Sequence, residues 1–393
     1  MKKVLIHLFV FFVGLFSIPV IAGDYPNGNL TDIINGATDG EVINLTGTAY
    51  TYSVRASALT KSLTIQAAPL VTSRPVITCG QAGIQFIATG NTAQTLTLIG
   101  LEFDGNAIAT GLAQGKNTTG GNFTVTVDDC KTTNFANGTA MFFYTALTGL
   151  SVYGNLTVTN SEFYGPNPLA LLATTATNVS PNNIKFTNCY ISGFNTANTS
   201  ITVVATTALE AITIDHCTFK NGATSSRRVL TLPASTPQVV KNCVFVDQPG
   251  TGNNTVAVNV ANDKNVVFNA GLATRWANFG TLLTTDPAVG TNGVTTESTY
   301  YNAGSDGKTI GYYGAPSLGT SQKYAFSDNK ITISQNGSAF SVNNATNEPY
   351  SIFSASGCLV ANGQIVNEKI NLNLNKGIYI LKTNGKVAKF TVK

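Results

Sequence analysis

Few residues in this 393-residue chain could do chemistry: only 11% are charged, and there are two histidines, His7 and His216. The densest group of reactive types is Asp215-His216-Cys217-Thr218-Phe219. A carboxylate, an imidazole and a thiol in succession offer proton transfer or a nucleophile. A second group is cationic: Lys185, Lys220, Arg227 and Arg228, with Asp215 as a carboxylate beside them. Cations in that setting would neutralise an acidic sugar, and a Lys or Arg would take a proton from the carbon next to a uronate carboxylate. A lyase of that kind would take Ca²⁺ as its one cofactor; otherwise none is expected. Asp128-Asp129 is a weaker pair, because adjacent strand residues face opposite ways. No metal site is expected, because no Cys-x-x-Cys or Cys/His pair has zinc-ligand spacing.

The elements that carry these residues form a repeat. LTLIGLEFDG (96–105), VTVDDCKTTNF (125–135), LTVTNSEFYG (156–165), IKFTNCYISGF (184–194), ITIDHCTFKNG (212–222) and VVKNCVFVDQ (239–248) align on Leu101, Cys130, Ser161, Cys189, Cys217 and Cys243. The steps are 29, 31, 28, 28 and 26 residues, a solenoid period in strand-type sequence. Apolar residues alternate before each anchor (Leu98, Val127, Val158, Phe186, Ile214, Val240), which makes one buried strand face. Two residues after the anchor stand Phe103, Phe163, Ile191, Phe219 and Phe245, with Thr132 as the exception. The inward phase shifts at the anchor, so the chain bends there. Just before it come Gly100, Asp129, Asn160, Asn188, His216 and Asn242, mostly types that tolerate left-handed backbone. Stacked Asn side chains would bond from coil to coil. By this register His216 is a ladder residue, and Cys130, Cys189, Cys217 and Cys243 are small core groups. Neighbouring coils would bring Cys189 and Cys217 within disulfide range. Gly105, Gly165 and Gly193 mark a second turn.

A third apolar strand follows in each repeat, for example at 141–147 and 201–207. Three strands per coil predict an all-β, right-handed parallel β-helix of about eight coils. Leu30, Ile33 and Ile34 share one face of a short helix that would cover its first end. The outward positions are rich in threonine (Thr64, Thr95, Thr97, Thr124, Thr126, Thr157, Thr159, Thr187, Thr213). Such residues favour strands, and a flat array of them can order water. Tyr144, Tyr153, Tyr164, Tyr190 and Trp276 are candidates for stacking on sugars.

The flanks differ. Lys2 and Lys3 precede an apolar run to Phe16, and Ala22 ends a small-residue site. This reads as a signal peptide over 1–22, with no transmembrane segment in the mature chain. Residues 24–315 carry net −3 and residues 316–393 net +5, so the repeat region lacks a nucleic-acid footprint. After 23–316, residues 317–393 alternate as short strands, a small Ig-like β-sandwich.

Two resemblances follow. DGEVINLTGTAYTYS through KSLTIQAAP, with NAGSDGKTIGYYGAP (302–316), resembles secreted β-helix proteins of the pectin-lyase-like superfamily, the latter stretch their closing coil. The string IDHCTF is similar to a pectate lyase segment, whereas the Asn-Thr-Asp and Gly-His-Gly motifs of glycosidases on that fold are absent. The C-terminal segment resembles a type A sorting domain of type IX secretion cargo through Gly357, Lys376-Gly377, Tyr379 and the basic end at Lys393. KYAFSDNK (323–330) stands where that family begins with a YPNP-like segment. The resemblance implies the type IX machinery as a partner. It also implies passage through the periplasm to the outside or outer surface of a Gram-negative cell. The functional expectation is a non-catalytic glycan-binding or adhesive protein. A polysaccharide lyase using Lys185, Asp215, Lys220 and Arg227 or Arg228 is the first alternative, and a threonine-faced ice- or surface-binding protein the second.

Overall fold

A computed structural model describes residues 22–314 and 332–392, apart from 53–60, 70, 80–85, 89–92, 110, 118–122, 137–139, 147–150, 166–169, 175–178, 195–199, 204–208, 223–227, 250, 255–263, 272, 280, 337–338, 344–347, 355–358, 373, 375 and 384–385. The chain divides into two compact units, up to Ser321 and from Gln322. Residues 1–21 of the leader, Arg227, Gly357, Lys393 and the end of the expected strand over 201–207 lie outside the described residues.

The first unit is a parallel β-solenoid with three long sheets. Sheet A has nine strands, from Ala22–Tyr25 to Gln238–Lys241. Sheet B has eleven, from Gly28–Asn29 to Thr281–Leu283, and sheet C has six, from Phe86–Ala88 to Leu230–Thr231. The repeat register is the strand register. In sheet B, Phe163, Ile191, Phe219 and Phe245 pair in succession and form one file. In sheet A, Leu98, Val127, Val158, Phe186, Ile214 and Val240 do the same. Each residue of both files is 2% exposed or less, so the interior is a packed core rather than a pore.

The corner between sheets A and B is made by left-handed residues. Gly100 has φ 68°, and Asp129, Asn160, Asn188, His216 and Asn242 have φ 52–54°. An Asn or Asp side chain offsets the cost of that conformation through local hydrogen bonds. The second corner differs from the sequence expectation. Gly193 is left-handed at φ 80°, but so are Asn134, Asn221, Asp247 and Asn269, whereas Gly105 and Gly165 are not. Gly105 is needed for closeness instead: a Cβ there would lie 2.7 Å from the Asn134 carbonyl oxygen.

Both ends are covered. Helix Leu30–Gly36 buries Leu30 and Ile34, with Ile33 packed partly against the core. Asn29 Oδ1 accepts from the Thr31 amide at 3.0 Å, an N-cap. Lys61 Nζ donates to the Ile34 and Asn35 carbonyls at 3.0 and 3.1 Å, placing a cation at the negative end of the helix. At the other end Trp276 and Phe279 pack on Phe245, with centroids 4.8 and 5.3 Å apart. Trp276 is therefore a plug, not a sugar platform.

Cys130, Cys189, Cys217 and Cys243 are fully buried free thiols. Cys189 and Cys217 do stack, but each Sγ donates to a carbonyl of its own turn, at Thr187 and Asp215, 3.4 Å in both cases. Burial pushes the Cys130 thiol up to about 12, so these groups behave as small hydrophobes.

Residues 283–314 do not form a closing coil. They turn back along the outside of the solenoid. Val244, Val246 and Val266 point outward from sheet B and pack with Tyr300 and Ile310 in a second apolar layer. This explains why Cys243-Val244-Phe245-Val246 is buried at every position, as a strand covered on both faces must be. From there 302–314 runs as a strap over the corner ladder.

The second unit is antiparallel. One sheet holds Thr332–Asn336, Ala339–Asn343 and Lys369–Asn371. The other holds Leu359–Gln364, Pro349–Ser354, Gly377–Thr383 and Lys386–Val392. Phe340, Val342, Ile352, Ile370 and Leu381 form its core, an Ig-like arrangement. Tyr379 is an interior residue stacked 5.7 Å from Phe390, whereas Lys376 is exposed.

Candidate functional site

The strap and the corner ladder form one hydrogen-bonded system. Asn160 Nδ2 donates to Asp128 Oδ1 at 2.8 Å, and Asn188 Nδ2 donates to Asn160 Oδ1 at 2.8 Å. Asn242 Nδ2 donates to Asp215 Oδ1 at 3.0 Å. The strap joins the ladder at Asn188 and Asn242 and at Thr218 between them. The Ser305 amide donates to Asn242 Oδ1 (2.8 Å), the Tyr312 amide to Thr218 Oγ1 (2.8 Å) and the Tyr313 amide to Asn188 Oδ1 (2.9 Å). The Gly314 carbonyl accepts from Asn188 Nδ2 at 2.9 Å. His216, 1% exposed, lies between Asp215 Oδ1 (2.8 Å from Nδ1) and Asp306 Oδ1 (3.2 Å from Nε2), edge-on to Tyr313. Burial pushes the Asp215 carboxyl up, but His216, Asn242 and Lys241 together outweigh it and hold it below the usual value. His216 thus occupies the same left-handed corner position as Asn188 and Asn242, without bonding either of them, and is also a contact of the strap.

Among the described residues, the outward positions of sheet A are partly exposed and carry hydroxyls. Thr64, Thr97, Thr126 and Thr157 pair in one outward file that continues through Lys185 and Thr213. Thr95 and Thr124 form a parallel file. On the strap side runs Asp128, Thr159, Thr187, Asp215 and Lys241. Files two residues apart lie about 7 Å apart along the strand, and steps within a file are about 4.8 Å. The result is a row of partly exposed hydroxyls at Thr64, Thr97, Thr126, Thr157 and Thr213, interrupted by Lys185, whereas the Thr187 hydroxyl is buried and Thr159 Oγ1 donates to Asp128. Tyr313, 40% exposed, stands on the strap beside Asp215 and His216.

The expected cationic cluster is only partly assembled. Lys185 pairs with Thr213, and Asp215 with Thr187 on the same face, so these two are diagonal neighbours. Lys220 belongs to sheet B, where Nζ donates at 2.9 Å to the carbonyl of Val289, in the segment that leads to the strap. Arg228 lies exposed beside sheet C. Lys185, Lys220 and Arg228 therefore face three directions. Tyr190, 3% exposed, is buried between Tyr164 and Tyr312 and is not available for stacking. The side chains of Tyr144 and Tyr153 lie outside the described residues.

One cluster escaped the sequence. Arg74 Nη2 meets Asp129 Oδ1 at 2.7 Å, Nε donates to the Asp129 carbonyl at 2.9 Å, and Nη1 lies 3.5 Å from Glu162 Oε1. Tyr312 and Tyr164 hydroxyls donate to the two oxygens of Glu162. Lys131 pairs with Glu102 at 3.0 Å. Every cation here already holds a carboxylate, so the cluster is a brace across coils. Desolvation raises Asp129 to about 6, even against Arg74. A carboxyl raised in the folded state binds its proton more tightly there than in the unfolded chain, so it costs stability as pH rises from the ordinary carboxylate range through 6. Asp129→Asn keeps a side chain suited to the left-handed turn and removes that dependence. In urea titrations its stability relative to the native chain should improve between about pH 4.5 and about pH 7; a constant difference would contradict the assignment.

Comparison with models of known protein families gives no match, and comparison with curated proteins gives none either.

Proposed function

We propose that the protein is an extracellular, non-catalytic glycan-binding or adhesive β-solenoid whose binding face is sheet A. The observation that carries this reading is the row of partly exposed, in-register threonines Thr64, Thr97, Thr126 and Thr157, continued by exposed Lys185 and edged by exposed Tyr313. A step of about 4.8 Å between hydroxyls is close to the advance of one unit in an extended β-linked polysaccharide. A sugar chain lying along the solenoid would thus meet a donor and acceptor at each coil. Tyr313 offers an aromatic surface at the edge. Likeness to pectin-lyase-like secreted proteins, a leader at 1–22 and a sorting module built around Tyr379 and the Lys376-Gly377 turn support export by type IX secretion to the outer surface of a Gram-negative cell.

The test is sedimentation of the full chain with insoluble cellulose, chitin and xylan, and microarray binding to soluble glycans. Thr126→Val keeps shape and strand preference but removes a hydroxyl; together with Tyr313→Ala it should weaken binding at least about tenfold, the equivalent of one to two hydrogen bonds plus an aromatic contact. Absence of binding to any glycan, or binding unchanged in the double variant, would overturn the reading. The same row favours ordered water as a second reading, for which inhibition of ice recrystallisation is the measurement. Release of unsaturated uronate products from pectate or alginate would instead establish the lyase alternative, with Lys185 and Asp215 as the pair on one face.

A further inference from the structure

The strap is held to the ladder at one point by groups that change charge. A neutral imidazole has one N–H and one lone pair, yet His216 faces a carboxylate at each nitrogen. Nδ1 has Asp215 at 2.8 Å, and that oxygen also accepts from Asn242. Nε2 is buried and lies 3.2 Å from Asp306, misaligned and without a hydrogen bond. With a proton only on Nδ1, the Nε2 lone pair opposes the Asp306 carboxylate. With both nitrogens protonated, each donates to an acid, and a small turn of Asp306 completes the second bond. The other ionisable groups nearby do not replace this bridge. Lys241 is 3.9 Å from Asp215 on the sheet, and Lys308, mostly exposed, is 3.6 Å from Asp306 on the strap. Cys217 faces the core, and burial and both carboxylates push the Tyr313 hydroxyl up.

We infer that His216 is a proton-operated clasp: its imidazolium bridges Asp215 of the ladder and Asp306 of the strap, and losing the proton loosens segment 302–314. The inference rests on the glycan-binding reading only for its consequence, since the strap carries Tyr313 to the edge of sheet A. An imidazole changes charge within the range between about pH 5 and about pH 8. The clasp is closed on the acid side of that change and weakens as pH rises through it.

The experiment is hydrogen exchange on the full chain without ligand, corrected for the intrinsic pH dependence of exchange. It follows the strap amides that dock on the solenoid: Ser305, Gly311, Tyr312 and Tyr313. Their protection should fall about tenfold between about pH 5.5 and about pH 8, the effect of losing one hydrogen bond between charged groups, while amides of the core strand Ala211–Asp215 keep theirs. His216→Asn places in the turn the residue that neighbouring coils use at the same φ and should make strap protection independent of pH. Asp306→Asn leaves the ladder intact and should also flatten the profile. A flat native profile, or an equal slope in either variant, overturns the clasp. If the slope is present but no glycan binds at any pH, the binding reading fails and the clasp stands; if glycans bind but the slope is absent, the reverse holds.

Discussion

Asn188→Ala is expected to lower the stability of the solenoid by about 3–5 kcal/mol, a large loss for a single polar side chain. The amide is fully buried and makes three bonds: to Asn160 Oδ1, to the Gly314 carbonyl and from the Tyr313 amide. Truncation leaves those partners unpaired, at about 1–3 kcal/mol for a buried group. It also places a Cβ without local compensation at φ 52°, which costs about 1–2 kcal/mol. Asn188→Gly separates the two contributions, because glycine takes that φ freely. It should recover about 1–2 kcal/mol of the loss. Urea unfolding followed by far-ultraviolet circular dichroism checks both. A loss below about 1 kcal/mol in the alanine variant would show that the ladder is not cooperative with the coils.

The second large effect is in the sheet B file. Phe219 is 1% exposed and stacks on Phe245 with centroids 5.1 Å apart and planes within 10°. Ile191 lies on the coil before it. Phe219→Ala should cost about 3–5 kcal/mol, whereas Ile191→Val in the same file should cost about 1 kcal/mol. The contrast separates a cavity effect from mere disturbance of the file. Because Phe245 in turn carries Trp276 and Phe279, the alanine variant should also expose the end plug. A red shift of Trp276 emission before the main transition is the signature to look for. Equal stabilities for the two variants would refute the stacked core.

The coils were readable in advance because each is a local pattern repeated. Alternation placed Leu98, Val127 and Val158 in one file, and turn chemistry placed Asn160, Asn188 and Asn242 in another. The strap was not readable for the opposite reason. NAGSDGKTIGYYGA has the Gly and Asn content of any turn, and its partners Asn188 and Thr218 lie 125 and 94 residues away in sequence from Tyr313 and Tyr312. Arg74 is a similar case, because nothing local ties it to Asp129, 55 residues on. One signal did exist: Cys243-Val244-Phe245-Val246 breaks the alternation of the earlier copies, and an apolar outward residue requires a cover. The scattering of Lys185, Lys220 and Arg228 has a simple cause too. Neighbours in a list of charges belong to different strands of a coil, and the coil turns a corner between them.

The strap touches Glu162 through Tyr312, then Asn188, Thr218 and Asn242, and so spans four successive turns with a fixed number of its own residues. Most repeat proteins lengthen or shorten freely by gaining or losing a unit. Here the strap acts as a gauge: one duplicated or deleted unit between Glu162 and Asn242 would leave it too short or slack by about 4.8 Å. The Arg74 brace to Asp129 and Glu162 fixes the turns before Glu162 in the same way, so natural or engineered variants should change length on the Ala22 side of Arg74 instead.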